Sequence, residues 1–512
     1  MRLVYGVMLW VTHSLLVYDD LHLFQQSRYQ LERVLAYQRE HFTAFFQQLW
    51  LSFGIVFLLF VIETQLQDAL TIQILFLCVM SYILVKRQSL MAQPLQLTKR
   101  IQRFLICYSC FACLFSFLFS YLSSGWQWLS LGILFVGHLG YTIFLFWLLQ
   151  PIEKDIQSFY LNKAKRVLSS YKGRVIGITG SYGKTSMKNI VNQCLGMKYC
   201  TCASPYSYNN MMGLTRTVLE CLKCYDEYFI AEMGADHVNE IARLCEFIRP
   251  DIGIITAVGP QHLSTFKTME NIVHEKCRLA EYAKEKVFIN VDNAVLKEQL
   301  PQLRSHAQII TYGLMQEADV QGVHWECNEN GSHFQVEIRG KLVDFQTALL
   351  GEHNILNCVG AIACAVECGV EVEWIQLAIA RLKPIPHRLE LKSYGVGQLI
   401  DNAYNSNPES AKASLKVLKM MPGRHILITP GFIDLGDKSA MYHERFGEQM
   451  AGLDIVCLVG SNAKLIRQGC EKVDIQELVE FKNLEDALSF VKGIMICGDT
   501  ILIENDLPQI YL

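Results

Sequence analysis

One stretch limits this chain more than any other. The short β-branched run RVIGI, Arg174–Ile178, passes directly into TGSYGKTS and then into the helical pattern MKNIVNQCLG. Strand, glycine loop and helix in this order make a cradle for phosphate, because successive backbone N–H groups and the positive end of the helix converge on one anion. Gly180 and Gly183 let the backbone close on phosphate oxygens, Lys184 can neutralise the β and γ phosphates, and Thr185 can offer a hydroxyl to Mg²⁺. The loop residues Thr179, Gly180, Ser181, Gly183, Lys184, Thr185 and Ser186 are therefore expected to hold the phosphates of a nucleotide. The eight-residue form of the pattern would place glycine at Ile178, and this chain has none there. A bare GKT tripeptide also arises by chance; the strand before it and the helix after it select the nucleotide reading.

The runs that follow alternate in the α/β manner. EYFIAEMGA, DIGIITAVG and KVFINVD read as strands, separated by the helical stretches HVNEIARLCEFI and NIVHEKCRLAEYA. A mainly parallel sheet follows, with ligands at the carboxyl ends of its strands, which places Glu232, His262 and Asn290 on one rim with the phosphate loop. Thr185 and Glu232 are suitable hard oxygen ligands for one Mg²⁺. A glutamate at a strand end also serves as a cap or a solvated carboxylate, and a lone histidine also serves structure.

The start of the chain is different. Of 512 residues, 51% are hydrophobic and only 19% charged, and the apolar excess lies before Pro151. Gln48–Ile62, Leu70–Val85, Phe104–Leu122 and Trp128–Leu149 are almost free of charge and near spanning length with their flanks, so 1–150 is expected to be a transmembrane region of about four helices. Met1–Val17 is a fifth candidate; buried helices of a soluble core are the competing reading. Lys86, Arg87, Lys99, Arg100 and Arg103 cluster in one connection, which the positive-inside rule places in the cytoplasm together with everything after Leu149. A multi-pass location in the cell membrane with cytoplasmic catalytic domains, and contact with membrane lipid, are the resulting expectations. The polar stretch 151–170 reads as a linker helix.

Composition also excludes some classes. The length suffices for about three domains, and the composition is not that of a disordered, collagenous or disulfide-framework chain. A net charge of −3 supplies no basic field, so no nucleic-acid partner is expected. The 18 cysteines are scattered through apolar stretches, as buried reduced thiols are. Cys107/Cys110 and Cys221/Cys224 each form a CxxC, yet a zinc or redox site needs a second pair in a soluble segment, so both are read as helical coincidence.

GITGSYGKTS, SYNNMMGLT, AEMGADHVNEI, AVGPQHLSTF, GEHNILNCVGAIACA, PHRLE and DNAYNSNPESAKASL, in this order and spacing, resemble the ATP-dependent Mur ligases, and among them the branch that adds D-alanyl-D-alanine. The likeness spans roughly residues 171–512, and the family's own loop, TGxxGKT, accounts for the missing glycine. It implies an α/β fold with a P-loop central domain, 171–383, and a Rossmann-like C-terminal domain, 384–512. The implied reaction activates a carboxylate as an acyl phosphate, which an amine then attacks. ATP and Mg²⁺ are the implied cofactors; the implied partners are a carboxylate-bearing envelope precursor and an amino acid or dipeptide such as D-alanyl-D-alanine.

The resemblance also implies roles, position by position. Lys184, His262 and Lys276 would be catalytic. Thr185, Glu232, His262 and Lys276 would hold metal, with Lys276 carbamylated into a carboxylate-like ligand, although Arg278 stands where an acid usually follows. Asn290 and Asn354 would contact nucleotide, or else serve as turn or cap residues. Arg388, after His387 and the hinge-like KPIP, would bring a guanidinium to the phosphates on domain closure. Asn209, Asn210, Asp401, Tyr404, Asn405 and Asn407 would face substrate, with an Asn-rich structural turn as the competitor for the last group. GFIDLGDKSAMYH, 431–443, is placed only near substrate.

Two departures stand out. The soluble nucleotide-sugar domain that opens these ligases is replaced by the apolar region. Their closing KGSR-like segment is replaced by Glu504, Asn505, Asp506 and Leu507, turning a positive corner acidic. The expected function is an ATP-dependent acid–amino-acid ligase of cell-wall precursor synthesis. A ligase for another envelope polymer such as poly-γ-glutamate, and a non-enzymatic membrane scaffold with an ATPase-like domain, are the alternatives.

Overall fold

The computed structural model describes residues 2–26, 34, 95–120, 124–404, 406–433, 435 and 438–506. They fall into two compact units, one holding the helices up to Ser158 and another from Phe159 to the end of the described chain.

In the first unit lie helices Arg2–Gln26 and Lys99–Ser120 and the opening part of Ser124–Ser170. Here the membrane expectation is corrected: among the described residues no helix is long and apolar enough to cross a membrane. The described parts of Met1–Val17 and Phe104–Leu122, and all of Trp128–Leu149, fall on these helices, while Gln48–Ile62 and Leu70–Val85 lie outside the described residues. The apolar side chains have partners of their own, since Val17, Leu21, Ile101, Phe104, Tyr108 and Leu145 form one core. Polar groups are built into the same packing: the Thr142 hydroxyl donates to buried Asp20 at 2.8 Å, and Arg103 pairs with Glu153 at 2.7 Å. The helix Ser124–Ser170 runs for 47 residues straight through Pro151 into the charged stretch beyond, with no break at residue 150. The fold class is therefore a helical N-terminal unit followed by α/β, and the multi-pass membrane location, the cytoplasmic side inferred from it and the lipid partner lose their basis.

The second unit contains two sheets. Strands β1 (Arg174–Thr179), β2 (Thr201–Ala203), β3 (Tyr228–Glu232), β4 (Ile252–Ile255), β5 (Lys286–Asn290), β6 (Gln308–Gly313), β7 (Val320–Asn328), β8 (Gly331–Ile338) and β9 (Lys341–Thr347) order as β2-β3-β1-β4-β5-β6-β7-β8-β9. Pairing is parallel from β2 to β7 and antiparallel from β7 to β9. Burial follows from this. β3 is buried at every position because helices cover both faces of a parallel sheet, whereas β8 alternates, with one side wet. One face packs on helices Lys184–Leu195, Glu352–Glu367 and Val372–Ala380, the other on Glu240–Ile248 and Met269–Tyr282. Gly360 permits the first contact: a Cβ there would lie 2.7 Å from Tyr312 and 2.8 Å from Met187, so Gly360→Ala overpacks the core at about 1–3 kcal/mol.

The second sheet contains β10 (Glu390–Tyr394), β11 (Gly397–Asn402), β12 (His425–Thr429), β13 (Ile455–Val459), β14 (Glu477–Phe481) and β15 (Thr500–Glu504), in the order β10-β11-β15-β12-β13-β14. Only β10 pairs antiparallel. The last strand in sequence thus lies inside the sheet, which brings Glu504 beside Asn402.

Candidate active site

The phosphate loop leaves β1 through Gly180 at φ 150° and enters the helix through Gly183 at φ 77°, backbone that only glycine adopts without strain. A Cβ on Gly180 would lie 2.1 Å from the Thr256 hydroxyl, so the residues just after β4 press directly on the loop. Ser181 ties in from the other side, its hydroxyl donating to the Gly259 carbonyl at 3.0 Å, and the Thr179 hydroxyl donates to the Met233 carbonyl at 2.9 Å. The Lys184 ammonium folds over its own loop, donating to the carbonyls of Gly180 at 2.7 Å and Ser181 at 3.0 Å. Desolvation lowers it to about 8, with Arg388 pushing the same way against Glu232 and Asp236. Ser186 is half-buried in the first helical turn.

Glu232 closes β3 beneath this helix, 1% exposed. Its Oε2 accepts from the Lys188 ammonium at 3.1 Å and its Oε1 from the Asn209 amide at 3.1 Å. Lys188 also donates to the Tyr206 carbonyl. Lys188 is a site residue that sequence reasoning missed, although its spacing of four from Lys184 sets both on one helical face.

Asp236 is a second omission: its Oδ1 lies 3.1 Å from His262 Nε2. Lys276 is close by, buried, with its ammonium donating to the Ala235 carbonyl at 3.3 Å and lying 5.8 Å from the centre of the Phe266 ring. Desolvation, reinforced by the charge of Lys184, lowers it to about 7. Its neighbour Glu275 accepts backbone N–H groups of Asn239 and Ile241. Arg278 pairs with Glu281 at 2.6 Å on its own helix.

From the second sheet comes Arg388. Its Nη2 donates to the Thr185 hydroxyl at 3.2 Å, and its guanidinium lies 4.6 Å from the centre of the Tyr404 ring, whose hydroxyl donates to Ser207 at 2.6 Å. His387 and Leu389 flank it at φ 62° and 46°, left-handed values that bend the turn so that the guanidinium reaches the other sheet. Asp401 stands behind, held by His387 Nδ1 and the Lys392 ammonium, both at 2.8 Å, which keep its carboxyl below the ordinary value against burial.

Other expected residues have structural employment. Asn210 and Asn407 cap helices by accepting from Gly213 and Ser410 N–H groups. Asn354 donates to the Leu350 carbonyl at 2.8 Å, and Asn290 donates to the Thr256 carbonyl at 2.7 Å, bracing the strand that touches the loop. Asn405 lies outside the described residues. His443, within the 431–443 segment, is buried and accepts from Phe432 N–H while its Nδ1 faces the Ser439 carbonyl. All described cysteines are free; Cys221 caps a helix and Cys224 lies in the turn after it, not on one helix.

Residues 178–365 match the Mur ligase middle domain, and 387–504 match the Mur ligase, glutamate ligase domain. The UDP-N-acetylmuramoyl-tripeptide--D-alanyl-D-alanine ligase of Bacillus subtilis is 31% identical over 346 residues, 66% of this chain and 74% of that one. That of Escherichia coli is 29% identical over 322 residues, 62% of this chain and 71% of the other. Among solved structures, MurF of Acinetobacter baumannii superposes with TM-score 0.63 at 24% identity, over 68% of this chain and 77% of that one. MurF of Thermotoga maritima in complex with ADP does so with TM-score 0.63 at 23% identity, over 69% and 81%. The phosphate loop, the strand-end carboxylate and the guanidinium crossing from a second sheet thus sit in a chain that belongs to the Mur ligase family, as an ATP-dependent carbon–nitrogen ligase of cell-wall precursor synthesis.

Proposed function

We propose that this ligase joins the carboxylate of a muramoyl-tripeptide envelope precursor to the amine of D-alanyl-D-alanine, the peptide pair in its relatives' names. One observation carries the phosphoryl-transfer part of this reading: Arg388, in the turn before the second sheet, meets Thr185 of the phosphate loop at 3.2 Å, while the substrate pair rests on the relatives' names. Two anions must be brought together for phosphoryl transfer, so converging cations are what the reaction requires. In the first step a carboxylate oxygen bonds to the γ-phosphorus while the bond to the ADP oxygen breaks. In the second the amine attacks the acyl carbon, phosphate leaves, and the amine loses a proton. Lys184 and Arg388 bear the charge that builds on the phosphoryl oxygens, and Tyr404 and Asn209 orient groups beside them.

Mg²⁺ fits the residues present. Thr185 and Glu232 offer one hydroxyl and one carboxylate, and among the described residues no group of three His, Cys, Asp or Glu forms a cage. Magnesium suits such a site, since it takes few protein oxygens and relies on phosphates and water. When bound it would neutralise phosphate charge. Lys276, with His262 nearby, would serve as a further ligand once carbamylated, a change in which CO₂ adds to the neutral amine, an N–C bond forms as one C–O π bond opens, and one proton leaves. A value of about 7 keeps much of that amine neutral at physiological pH.

The test is ATP-dependent phosphate release by the full-length protein. Release is expected only when both the tripeptide precursor and D-alanyl-D-alanine are present. Turnover with another carboxylate or amine, and none with this pair, overturns the substrate assignment.

A further inference from the structure

The acid that replaces a positive corner at the chain's end does not face the site. Glu504 is 0% exposed, in the middle of the second sheet. Its Oε2 accepts from the Asn402 amide at 2.8 Å and from the Ser414 hydroxyl, and its Oε1 accepts from the Ser406 hydroxyl. Burial pushes the Glu504 carboxyl above its ordinary value, and the three neutral side chains that converge on it pull it back toward the charged form. Two of them belong to the 402–407 segment, and the third to the helix Pro408–Met420 that follows.

The connections continue outward. Asn402 Oδ1 accepts from the Leu389 N–H at 3.3 Å, and the Tyr404 N–H donates to the His387 carbonyl at 3.2 Å. Backbone bonds from Asn505 to the Asn402 carbonyl and from Asp506 to the Ala403 carbonyl, 3.1 and 3.0 Å, clamp the same segment. Glu504 is thus one side chain away from the turn that aims Arg388 and fixes the segment that carries Tyr404. Those are the two residues by which the second sheet reaches Thr185 and Ser207.

We propose that Glu504 is a positioning residue: through Asn402, Ser406 and Ser414 it holds the Arg388 turn and the Tyr404 segment against the phosphate loop. This rests on the assignment of Arg388 to the phosphates. The chemistry of the anchor makes it sensitive to an isosteric change. A carboxylate only accepts. Glutamine at 504 also donates: with its oxygen kept on Asn402 and Ser414 its amide faces Ser406, whose hydroxyl must give up its own donation and accept, and with its amide reversed the Asn402 oxygen is drawn away from the Leu389 N–H, so either way one anchor of the segment is re-aimed.

The experiment is a double-mutant cycle on full-length protein, measuring kcat, KM for ATP and thermal midpoint for wild type, Glu504→Gln, Arg388→Lys and the double variant. Glu504→Gln is expected to lower kcat roughly tenfold with KM for ATP within about twofold, since misplacing a group by a fraction of an ångström acts on the reacting geometry. In the Arg388→Lys background the same change should cost less than about twofold, because coupled residues are non-additive. A role confined to stability would reduce the active fraction by the same factor in both backgrounds, and equal factors overturn the proposal. If Glu504→Gln does not fold, Asn402→Ala replaces it; it leaves Glu504 two hydroxyl donors but cuts the link to Leu389, and the same pattern is expected. Wild-type turnover in Arg388→Lys and in Arg388→Ala would instead overturn the reading of Arg388 itself.

Discussion

Replacing Lys188 by Met separates two roles of Glu232. The Lys188 and Glu232 side chains are 2% and 1% exposed and meet at 3.1 Å, so Met, of similar length, leaves a buried carboxylate with only the Asn209 amide. Breaking a buried pair from one side costs about 3–5 kcal/mol. The lower end applies here, because burial already holds Lys188 below its ordinary value against the pull of Glu232, and the ammonium's own desolvation cost disappears with it. About 3 kcal/mol corresponds to a fall of roughly 6–12 °C in the midpoint of a domain of this size. Thermal unfolding of full-length wild type and Lys188→Met, with and without Mg·ADP, is the assay. If Glu232 is a magnesium ligand, the metal supplies the lost positive charge, and the deficit should shrink by at least half when Mg·ADP is saturating. Adding Glu232→Gln should restore most of the metal-free deficit. A deficit equal in both conditions refutes the metal role of Glu232, and no deficit at all refutes the reasoning about the pair.

Three further outcomes follow from the same geometry. Lys184→Ala should lower product formation by about 10³-fold with the midpoint nearly unchanged, since its charge stabilises what develops in transfer; turnover near wild type would reduce the loop to a turn. ADP binding should take up protons: Lys184 is about half neutral at pH 8, a bound phosphate raises its value, and uptake should approach about half a proton there and fade toward pH 6. Calorimetry in buffers of different ionisation enthalpy reads this, and the same uptake in Lys184→Ala would assign it elsewhere. Lys276→Ala should lose activity that a short carboxylic acid partly restores; full activity in the variant would remove Lys276 from the mechanism.

What was legible in the sequence is what local chemistry dictates. Gly180 and Gly183 announce the loop, and the apolar runs announce β1, β3, β4 and β5, because parallel strands buried on both faces must be apolar nearly throughout. Partnerships across the fold were not legible. Nothing local tells that Asn209 reaches Glu232 while its neighbour Asn210 caps a helix, since one residue type serves both ends. Glu504 read as an acidic corner because its three donors come from 90 to 102 residues away and become neighbours only when β15 inserts between β11 and β12. The N-terminal helices misled for a related reason: apolar content is the same whether it faces lipid or another helix, and buried Asp20 with its Thr142 partner is visible only once the helices are packed.

The charge balance around the loop carries one more consequence. Arg388 and Lys276 both stand in the field of Lys184, and burial lowers all three. Against them are Glu232, already engaged by Lys188, and Asp236, beside His262. The charges of Glu275 and Glu240 also act on Lys276, Glu275 with both carboxylate oxygens and Glu240 with its Oε2 on backbone N–H groups. A divalent cation entering this pocket alone meets cations, and it binds well only if its counter-charge comes too. Phosphates bring that charge, and so does carbamylation, which turns Lys276 from a partly protonated amine to −1 and shifts the pocket by between one and two charges. Binding of Mn²⁺, as a spectroscopic probe for Mg²⁺, should therefore be weak to the protein alone and tighten about tenfold or more with bicarbonate, since at an effective dielectric of 20 two unit charges interact by about 4 kcal/mol at 4 Å and the interaction falls only inversely with distance. Lys276→Met should bind Mn²⁺ better than wild type in the absence of bicarbonate, having lost the cation, and should gain nothing from adding it. Equal Mn²⁺ affinity with and without bicarbonate in wild type would show that Lys276 keeps its ammonium, and the second metal site would then have to be sought away from it.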